Sequence, residues 1–158
     1  MRTGLTVGKF APLHKGHQYL IETALTEVDQ LIVIVYEADQ VTKIPIEKRM
    51  AWIRALYPEV IVIAGHGVPK DSGYTHEIQM KHVDFIKSLI KGYSIDVFFS
   101  SEPYGDLMSR ILACENRLVD YNRQQIPISG TFLRLNPETV KAYVPSVVYE
   151  DLILYREI

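Results

Sequence analysis

Short apolar runs alternate along this chain with segments in which apolar residues recur at helical spacing. The apolar, β-branched runs predict strands at residues 5–8, 31–36, 60–64 and 95–99, and residues 117–120 predict a further strand. The run LIVIVY at residues 31–36 is uninterrupted by charge, which is typical of a strand buried on both faces. Such strands indicate a parallel sheet covered by helices.

The segments between these strands carry the helical pattern. Apolar spacing predicts helices at about 17–27, 50–57, 78–90 and 107–114, and a longer one at 137–153 broken at Pro145. Trp52 falls at helical spacing with Leu56 and is expected in the core. Strands that alternate with helices predict an α/β fold, a Rossmann-like doubly wound parallel sheet of about five strands. The 158 residues fit one domain.

Composition narrows the classes of function. The chain has 17 Lys and Arg against 19 Asp and Glu, a net charge of -2, which disfavours a general nucleic-acid binder. A single cysteine, Cys114, favours a reducing compartment, so we expect a cytoplasmic protein. The sequence has no apolar run of about 18 residues, so we expect no membrane partner.

The first motif is the loop GKFAPLHKGH at residues 8–17, between the first strand and the first helix. Gly8 and Gly16 let the backbone approach a ligand closely. His14 and His17 lie where free N–H groups and the helix dipole favour an anion. Two surface histidines in a turn are the alternative, but the glycines and Lys9 favour phosphate binding. Neither a cysteine nor an acid lies nearby to complete a metal site.

The second motif is IPISGTFLR at residues 126–134. Ser129 is a suitable N-cap for a helix whose first turn carries Gly130 and Thr131. Arg134 follows about one turn later and can form paired hydrogen bonds with phosphate oxygens. An ordinary capped helix with a surface arginine would have the same sequence pattern. The second motif therefore indicates phosphate binding only in combination with the first.

HKGH and ISGTFLR match the HxGH and ISxTxxR motifs of the nucleotidylyltransferase superfamily. Beyond these motifs, the chain resembles the NMN adenylyltransferase domain of the NadR-type NAD-biosynthesis proteins. The stretches that carry this resemblance include GKFAPLHKGHQYLIETAL, FFSSEPYGDL and LVDYNRQQIPISGTFLR. We expect residues 1–158 to form one nucleotidylyltransferase domain, without the kinase and helix-turn-helix domains of that family.

The resemblance implies transfer of AMP from ATP to NMN by direct in-line attack, giving NAD and pyrophosphate, with Mg²⁺ carried by ATP. It implies a catalytic group of His14, His17, Lys9 and Arg134. It also implies an ATP-binding group formed by Gly8, Phe10, Gly16, Ser100, Ser101, Glu102, Pro103, Ser129, Gly130 and Thr131.

The NMN side carries weaker signals. Lys43 and Arg49 flank a proline where the family often places a basic residue near phosphate, although both could be solvated charges. Tyr74 stands where relatives often have a tryptophan, and its ring could stack on nicotinamide. Asp120 could accept a hydrogen bond from the nicotinamide amide and Arg123 could reach phosphate; a local Asp–Arg pair is the alternative.

Two other functions stay open. Pantetheine-phosphate adenylyltransferases of the superfamily have nearly this length, but they usually read T-F-D-P where this chain has KFAP at residues 9–12. Cytidylyltransferases differ around the second motif. A nucleotide sensor without turnover is the rival of a different class. The sequence leaves open the choice between NMN and nicotinate mononucleotide, and whether the chain forms a homo-oligomer.

Overall fold

The computed structural model describes residues 1–69, 73, 75–102 and 104–158. The strands are β1 (Thr3–Gly8), β2 (Gln30–Tyr36), β3 (Ile61–Gly65), β4 (Val97–Ser100) and β5 (Glu115–Leu118). The helices are α1 (Lys15–Glu27), α2 (Ile46–Leu56), α3 (His76–Leu89), α4 (Tyr104–Ile111), α5 (Gly130–Leu135), α6 (Val140–Tyr143) and α7 (Ser146–Leu154). A 3-10 turn at Pro137–Thr139 joins α5 to α6.

The five strands form one parallel sheet in the order β3-β2-β1-β4-β5. The chain builds outward from β1 through β2 to β3 and then returns to the other side of β1 with β4. Leu5 of β1 therefore pairs with Ile32 on one side and with Phe98 on the other. This reversal creates a crevice at the carboxyl ends of β1 and β4, where ligands bind in open α/β sheets. The predicted fold class is confirmed.

Apolar side chains cover both faces of the sheet. Along β2, Leu31, Val33 and Val35 belong to one core cluster, and Ile32 and Ile34 belong to the cluster on the opposite face. All five side chains are completely buried, because successive residues of a strand point to opposite faces. Uninterrupted hydrophobicity along β2 therefore predicted its position inside the sheet correctly.

The edges of several elements differ from the sequence prediction. The fifth strand is Glu115–Leu118 rather than residues 117–120, because Asp120 has φ +50° and leaves the extended conformation. β4 begins at Val97 instead of residue 95. α1 begins at Lys15 because His14 caps it. Pro145 does separate α6 from α7. Within the described residues, every helix is too short or too polar to cross a bilayer.

Candidate active site

The two sequence motifs meet at the carboxyl end of β1. Arg134 Nη1 donates a hydrogen bond of 2.7 Å to the carbonyl of Ala11, although 123 positions separate the two residues. Gly16 lies next to the same segment, since a Cβ built on it would stand 3.6 Å from the Ile128 carbonyl oxygen. The loop at residues 8–17 and the segment at 126–134 are therefore two walls of one site.

His14 and His17 hold each other in place through the first turn of α1. His14 is the N-cap, and its Nδ1 accepts a 3.0 Å hydrogen bond from the Gly16 N–H. His17 Nδ1 in turn accepts from the His14 backbone N–H at 3.2 Å. Their rings stack with centroids 3.7 Å apart. This reciprocal arrangement is a capping box in which histidines replace the usual Ser or Thr and Glu.

The environment keeps both imidazoles neutral. Burial, followed by the positive charges of Arg123 and Arg134, lowers the pKa of His14 from 6.5 to about 4. Burial, His14 and Arg123 lower the pKa of His17 well below 6.5. A neutral imidazole has one donor and one acceptor nitrogen, and both Nδ1 atoms are acceptors here. Each ring therefore carries its proton on Nε2, where it can donate to an anionic ligand.

Phe10 supports the histidine pair from the loop. Its side chain is buried, and its ring centroid lies 4.7 Å from that of His17. Its backbone has φ +49°, in the left-handed region. A Cβ at Gly8 would stand only 3.2 Å from the Phe10 ring. Gly8 thus gives Phe10 the space to turn back beneath His17, and Phe10 shapes the loop rather than presenting a polar group.

The second motif begins as predicted with a capped helix. Ser129 Oγ accepts from the Phe132 N–H at 3.0 Å and caps α5. Arg134 Nη2 donates to Thr131 Oγ1 at 3.3 Å. A Cβ at Gly130 would stand 3.1 Å from Arg134 Nη1, so the glycine leaves space for the guanidinium. Arg134 itself is exposed, with its cationic end between the two motifs.

Asp120 and Arg123 shape the loop that leads into the second motif. Asp120 accepts from the N–H groups of Gln125 and Ile126 at 2.9 and 2.8 Å. Burial opposes its ionisation, but these N–H groups prevail and hold the pKa of Asp120 below its ordinary value. Arg123 Nη1 donates to the Ile128 carbonyl at 2.6 Å. Both side chains bond to backbone in this structure. The positive charge of Arg123 also contributes to the lowered pKa of Asp120, as in the alternative of a local Asp–Arg pair.

Arg49 is buried, although the sequence offered it either as a phosphate-binding residue or as a solvated charge at a helix start. Its side chain is 1% exposed. Nη1 donates to the carbonyls of Lys9 and Tyr36 at 2.6 and 2.7 Å, and Nε donates to Ile44 at 3.2 Å. Burial lowers the pKa of Arg49, but an arginine keeps its charge in proteins. The structure therefore places this cation beneath the first loop, where it fixes the backbone of the exposed Lys9.

Lys43 lies exposed on the loop between β2 and α2. Its backbone N–H donates to Glu157 Oε1 at 2.7 Å. Sequence reasoning missed Glu157, because only the folded chain brings residue 157 next to residue 43. The Ala11 carbonyl, the acceptor of Arg134, was missed because main-chain groups carry no sequence signal.

The SSEP loop follows β4, the neighbour of β1. Ser100 Oγ donates to the Glu102 carbonyl at 3.1 Å and closes a turn. Ser101 is partly buried and Glu102 is exposed. This loop therefore lies on the crevice side of the sheet, at the carboxyl end of β4. Its contact with adenosine stays a prediction. Pro103 and Tyr74 lie outside the described residues.

A cavity of about 210 Å³ opens beside the first motif. Ala11 and Pro12 form one wall, and Arg134 lines another. The remaining lining comes from the loop at residues 41–44, from the helices α2 and α5–α7 and from the end of the described chain. The cavity connects the Arg134 site to the loop that carries Lys43.

A crevice at the sheet reversal, lined by neutral histidines and two arginines, is typical of nucleotide-binding α/β proteins. A family model described as cytidylyltransferase-like matches residues 5–136, which contain both motif loops. The chain belongs to this family, and so to the nucleotidylyltransferase superfamily of enzymes.

Two known proteins are similar to this chain in sequence. It is 29% identical over 160 residues to the trifunctional NAD biosynthesis/regulator protein NadR of Escherichia coli (strain K12), covering 92% of this chain and 39% of NadR. It is 27% identical over 139 residues to the phosphopantetheine adenylyltransferase of Bacteroides thetaiotaomicron, covering 85% and 87% of the two chains. The chain thus spans well under half the length of NadR.

A crystal structure of NadR in complex with NAD and AMP-PNP has the same fold. It superposes with a TM-score of 0.65 at 20% identity, over 92% of this chain and 45% of that one. Agreement at this identity concerns the architecture. It supports the doubly wound sheet.

Proposed function

We propose that this protein is a nicotinamide-nucleotide adenylyltransferase, which joins ATP and NMN to form NAD and pyrophosphate. The observation that carries the proposal is the contact of Arg134 with the Ala11 carbonyl, which brings a cation beside two neutral histidines. The resemblance to NadR-type enzymes supplies the substrates. The similarity to a protein of NAD biosynthesis supports the same choice.

The proposed reaction needs alignment and charge stabilisation more than acid–base chemistry. A phosphate oxygen of NMN forms a bond to the α-phosphorus of ATP, and the bond from that phosphorus to the bridging oxygen breaks. Pyrophosphate leaves with the electron pair. The attacking phosphate is already anionic near neutral pH, so no strong base is required. Catalysis then rests on orientation and on fixed donors around the transferring group.

The residues divide between the two halves of ATP. His14 and His17 donate from Nε2 to phosphate oxygens at the reacting centre, and Lys9 adds a positive charge. Ser129, Thr131 and Arg134 hold the departing β- and γ-phosphates. Gly8, Phe10 and Gly16 give the loop its shape, and Ser100, Ser101 and Glu102 contact the adenosine.

The NMN phosphate is assigned to Lys43 and Arg123. Lys43 is exposed and free to reach a ligand through its side chain, whereas Arg49 is buried and acts by holding Lys9 and Ile44. Asp120 holds the loop before the second motif, and its remaining lone pairs could accept from nicotinamide. Tyr74 keeps its proposed stacking role on the strength of sequence position alone.

Magnesium enters this proposal with ATP. Mg²⁺ prefers oxygen ligands, above all carboxylates, water and substrate phosphates. Across the described residues, no three His, Cys, Asp or Glu side chains are grouped to hold a metal. The N–H donors of the histidines and arginines at the site suit phosphate oxygens, so no step is assigned to a protein-held ion.

The proposal is tested by an end-point assay with NMN, ATP and magnesium, in which a dehydrogenase reads NAD. Parallel wells contain nicotinate mononucleotide, phosphopantetheine, or CTP in place of ATP, and all are read by pyrophosphate release. We expect NAD and pyrophosphate in equal amounts from the first well. Pyrophosphate from another well alone would retain the superfamily and reject the assignment to NMN.

Phosphopantetheine is the second candidate acceptor. The Bacteroides relative matches this chain over most of both lengths, whereas NadR is much longer. Residues 9–12 read KFAP rather than TFDP, which favours NMN. ATP binding without pyrophosphate release from any well would indicate a nucleotide sensor.

A further inference from the structure

The segment after α7 turns back onto the loop that carries Lys43. The Arg156 N–H donates to the Ile153 carbonyl at 3.1 Å, and the Glu157 N–H donates to Leu152 at 2.8 Å. Arg156 has φ +56°, so these bonds form a Schellman motif that ends the helix. The motif fixes the direction in which Glu157 leaves α7.

Glu157 bonds to consecutive residues of this loop. Its Oε1 accepts from the Lys43 N–H at 2.7 Å and also from the Thr42 hydroxyl. Thr42 Oγ1 in turn accepts from the Ile44 N–H at 3.1 Å. One carboxylate oxygen therefore organises the backbone on both sides of Lys43.

The same loop is held from beneath by Arg49. The guanidinium joins the Ile44 carbonyl at 3.2 Å to the Lys9 carbonyl at 2.6 Å. Two charged groups thus fix the backbone at Lys43 and Ile44: the Glu157 carboxylate accepts from the Lys43 N–H, and the buried Arg49 donates to the Ile44 carbonyl. The carboxylate contacts the Lys43 backbone, so this bond leaves the ammonium group for a ligand.

We propose that Glu157 is a positioning residue that presents Lys43 to the phosphate of the acceptor nucleotide. The Glu157 carboxylate bonds to the loop from which the Lys43 ammonium extends, and it acts by fixing that loop. It therefore sets the affinity for the acceptor, while ATP is held by the two motifs at the other wall. This inference rests on the proposed function, because it requires an acceptor phosphate at Lys43.

The test compares Glu157→Ala with Glu157→Gln and with Glu150→Ala, which changes an exposed glutamate on the preceding helix α7. We expect Glu157→Ala to raise the KM for NMN about tenfold, since hydrogen bonds to a charged acceptor are worth about that much. kcat and the KM for ATP should stay within about twofold. Glu157→Gln keeps an oxygen acceptor and should recover most of the loss, and Glu150→Ala should match the wild type.

A double-mutant cycle separates positioning from a general loss of structure. If Glu157 acts through Lys43, Lys43→Ala combined with Glu157→Ala should raise the KM for NMN no further than Lys43→Ala alone. Additive effects would show that Glu157 acts elsewhere and would overturn the inference. The inference would also be overturned if Glu157→Ala lowered kcat and raised the KM for ATP as much as it raised the KM for NMN.

Amide hydrogen exchange gives a readout that needs no turnover. Exchange at Lys43 and Ile44 should quicken in Glu157→Ala and stay unchanged in Glu150→Ala. If the wild type forms NAD and Glu157→Ala has the same KM for NMN, this inference alone is overturned. If the wild type uses another phosphorylated acceptor, the same KM comparison applies to it. Silence with every acceptor would overturn both this inference and the proposed function.

Discussion

The ring of His14 stacks on that of His17, and each Nδ1 accepts a backbone N–H from the same helical turn. The pair therefore has two tasks: it caps α1 with its Nδ1 atoms and offers two Nε2 donors. Substitutions that preserve the cap while removing the imidazole can separate these tasks.

His17→Gln is the substitution that makes this separation. Glutamine at this position can complete a capping box, so the free energy of unfolding should stay within about 1 kcal/mol of wild type. Turnover should fall about 100-fold or more, the usual effect of losing one preorganised donor. Urea unfolding and the NAD assay measure the two quantities. Near wild-type NAD synthesis would remove His17 from the phosphate site.

Stability should depend on pH through His14. Its pKa is about 4 in the folded protein and 6.5 in the unfolded chain, so between these values the unfolded chain binds more protons. Stability is therefore fully present above pH 6.5 and is lost as the pH falls toward 4. Lowering the pH from 7.5 to 5.5 should cost about 1 kcal/mol from this residue.

The control for this pH effect is His14→Asn, since asparagine is a good N-cap without a titrating ring. Urea unfolding of both proteins at pH 7.5, 6.5 and 5.5 gives the difference in pH dependence. A variant as sensitive to pH as the wild type would contradict the role of His14, because other titrating groups are common to both proteins.

Arg49→Lys should weaken both folding and catalysis. Lysine cannot reach the Lys9, Tyr36 and Ile44 carbonyls together, which leaves buried or partly buried acceptors unpaired at a cost of about 3 kcal/mol. Lys9 then loses its fixed backbone, so kcat should fall as well. Arg54→Lys is the matched control, because Arg54 is exposed on the same helix. Equal stability of the two variants in urea would count against the buried network.

Alanine at the two motif glycines should have different effects. In Gly16→Ala the new Cβ would stand 2.8 Å from the ring of the buried His14, which should cost about 2 kcal/mol and most activity. In Gly130→Ala the nearest atom is the movable end of Arg134, at 3.1 Å, and the Ala11 carbonyl oxygen lies at an ordinary contact distance of 3.8 Å. That protein should fold normally and show a raised KM for ATP. Thermal unfolding and steady-state kinetics test the contrast, and equal destabilisation would refute it.

Arg156→Gly should stabilise the protein by about 1 kcal/mol. Arg156 occupies the left-handed position of the Schellman motif at φ +56°, which glycine adopts without steric cost. A higher Tm with unchanged KM values is expected. A lower Tm would mean that the arginine side chain makes contacts that outweigh the backbone strain.

The fold could be predicted from sequence where burial follows a simple period. The run at residues 31–36 became β2, and Trp52, 1% exposed, lies in the core as expected from its spacing. Strand ends were less predictable, since the φ of +50° at Asp120 has no glycine to signal it.

The site could be predicted only in part, for a related physical reason. The two motif loops carry their own signals in glycines and histidines, and these loops do meet. In the sequence, Arg49 looks like an ordinary charged residue at a helix start. Its burial and its role in fixing the first loop follow from hydrogen bonds to carbonyls that only the folded chain brings close. Glu157 likewise gains its contact with the Lys43 loop from tertiary structure.

The dual use of the histidine nitrogens has a consequence for evolution. A descendant of this chain that abandoned catalysis would still need acceptors at both Nδ1 positions to close α1. Selection for foldability alone would then disfavour apolar replacements at these two sites, and mutational drift would be channelled toward asparagine, glutamine and glutamate. Positions 14 and 17 should therefore keep polar residues in this lineage even after nucleotide transfer has been lost.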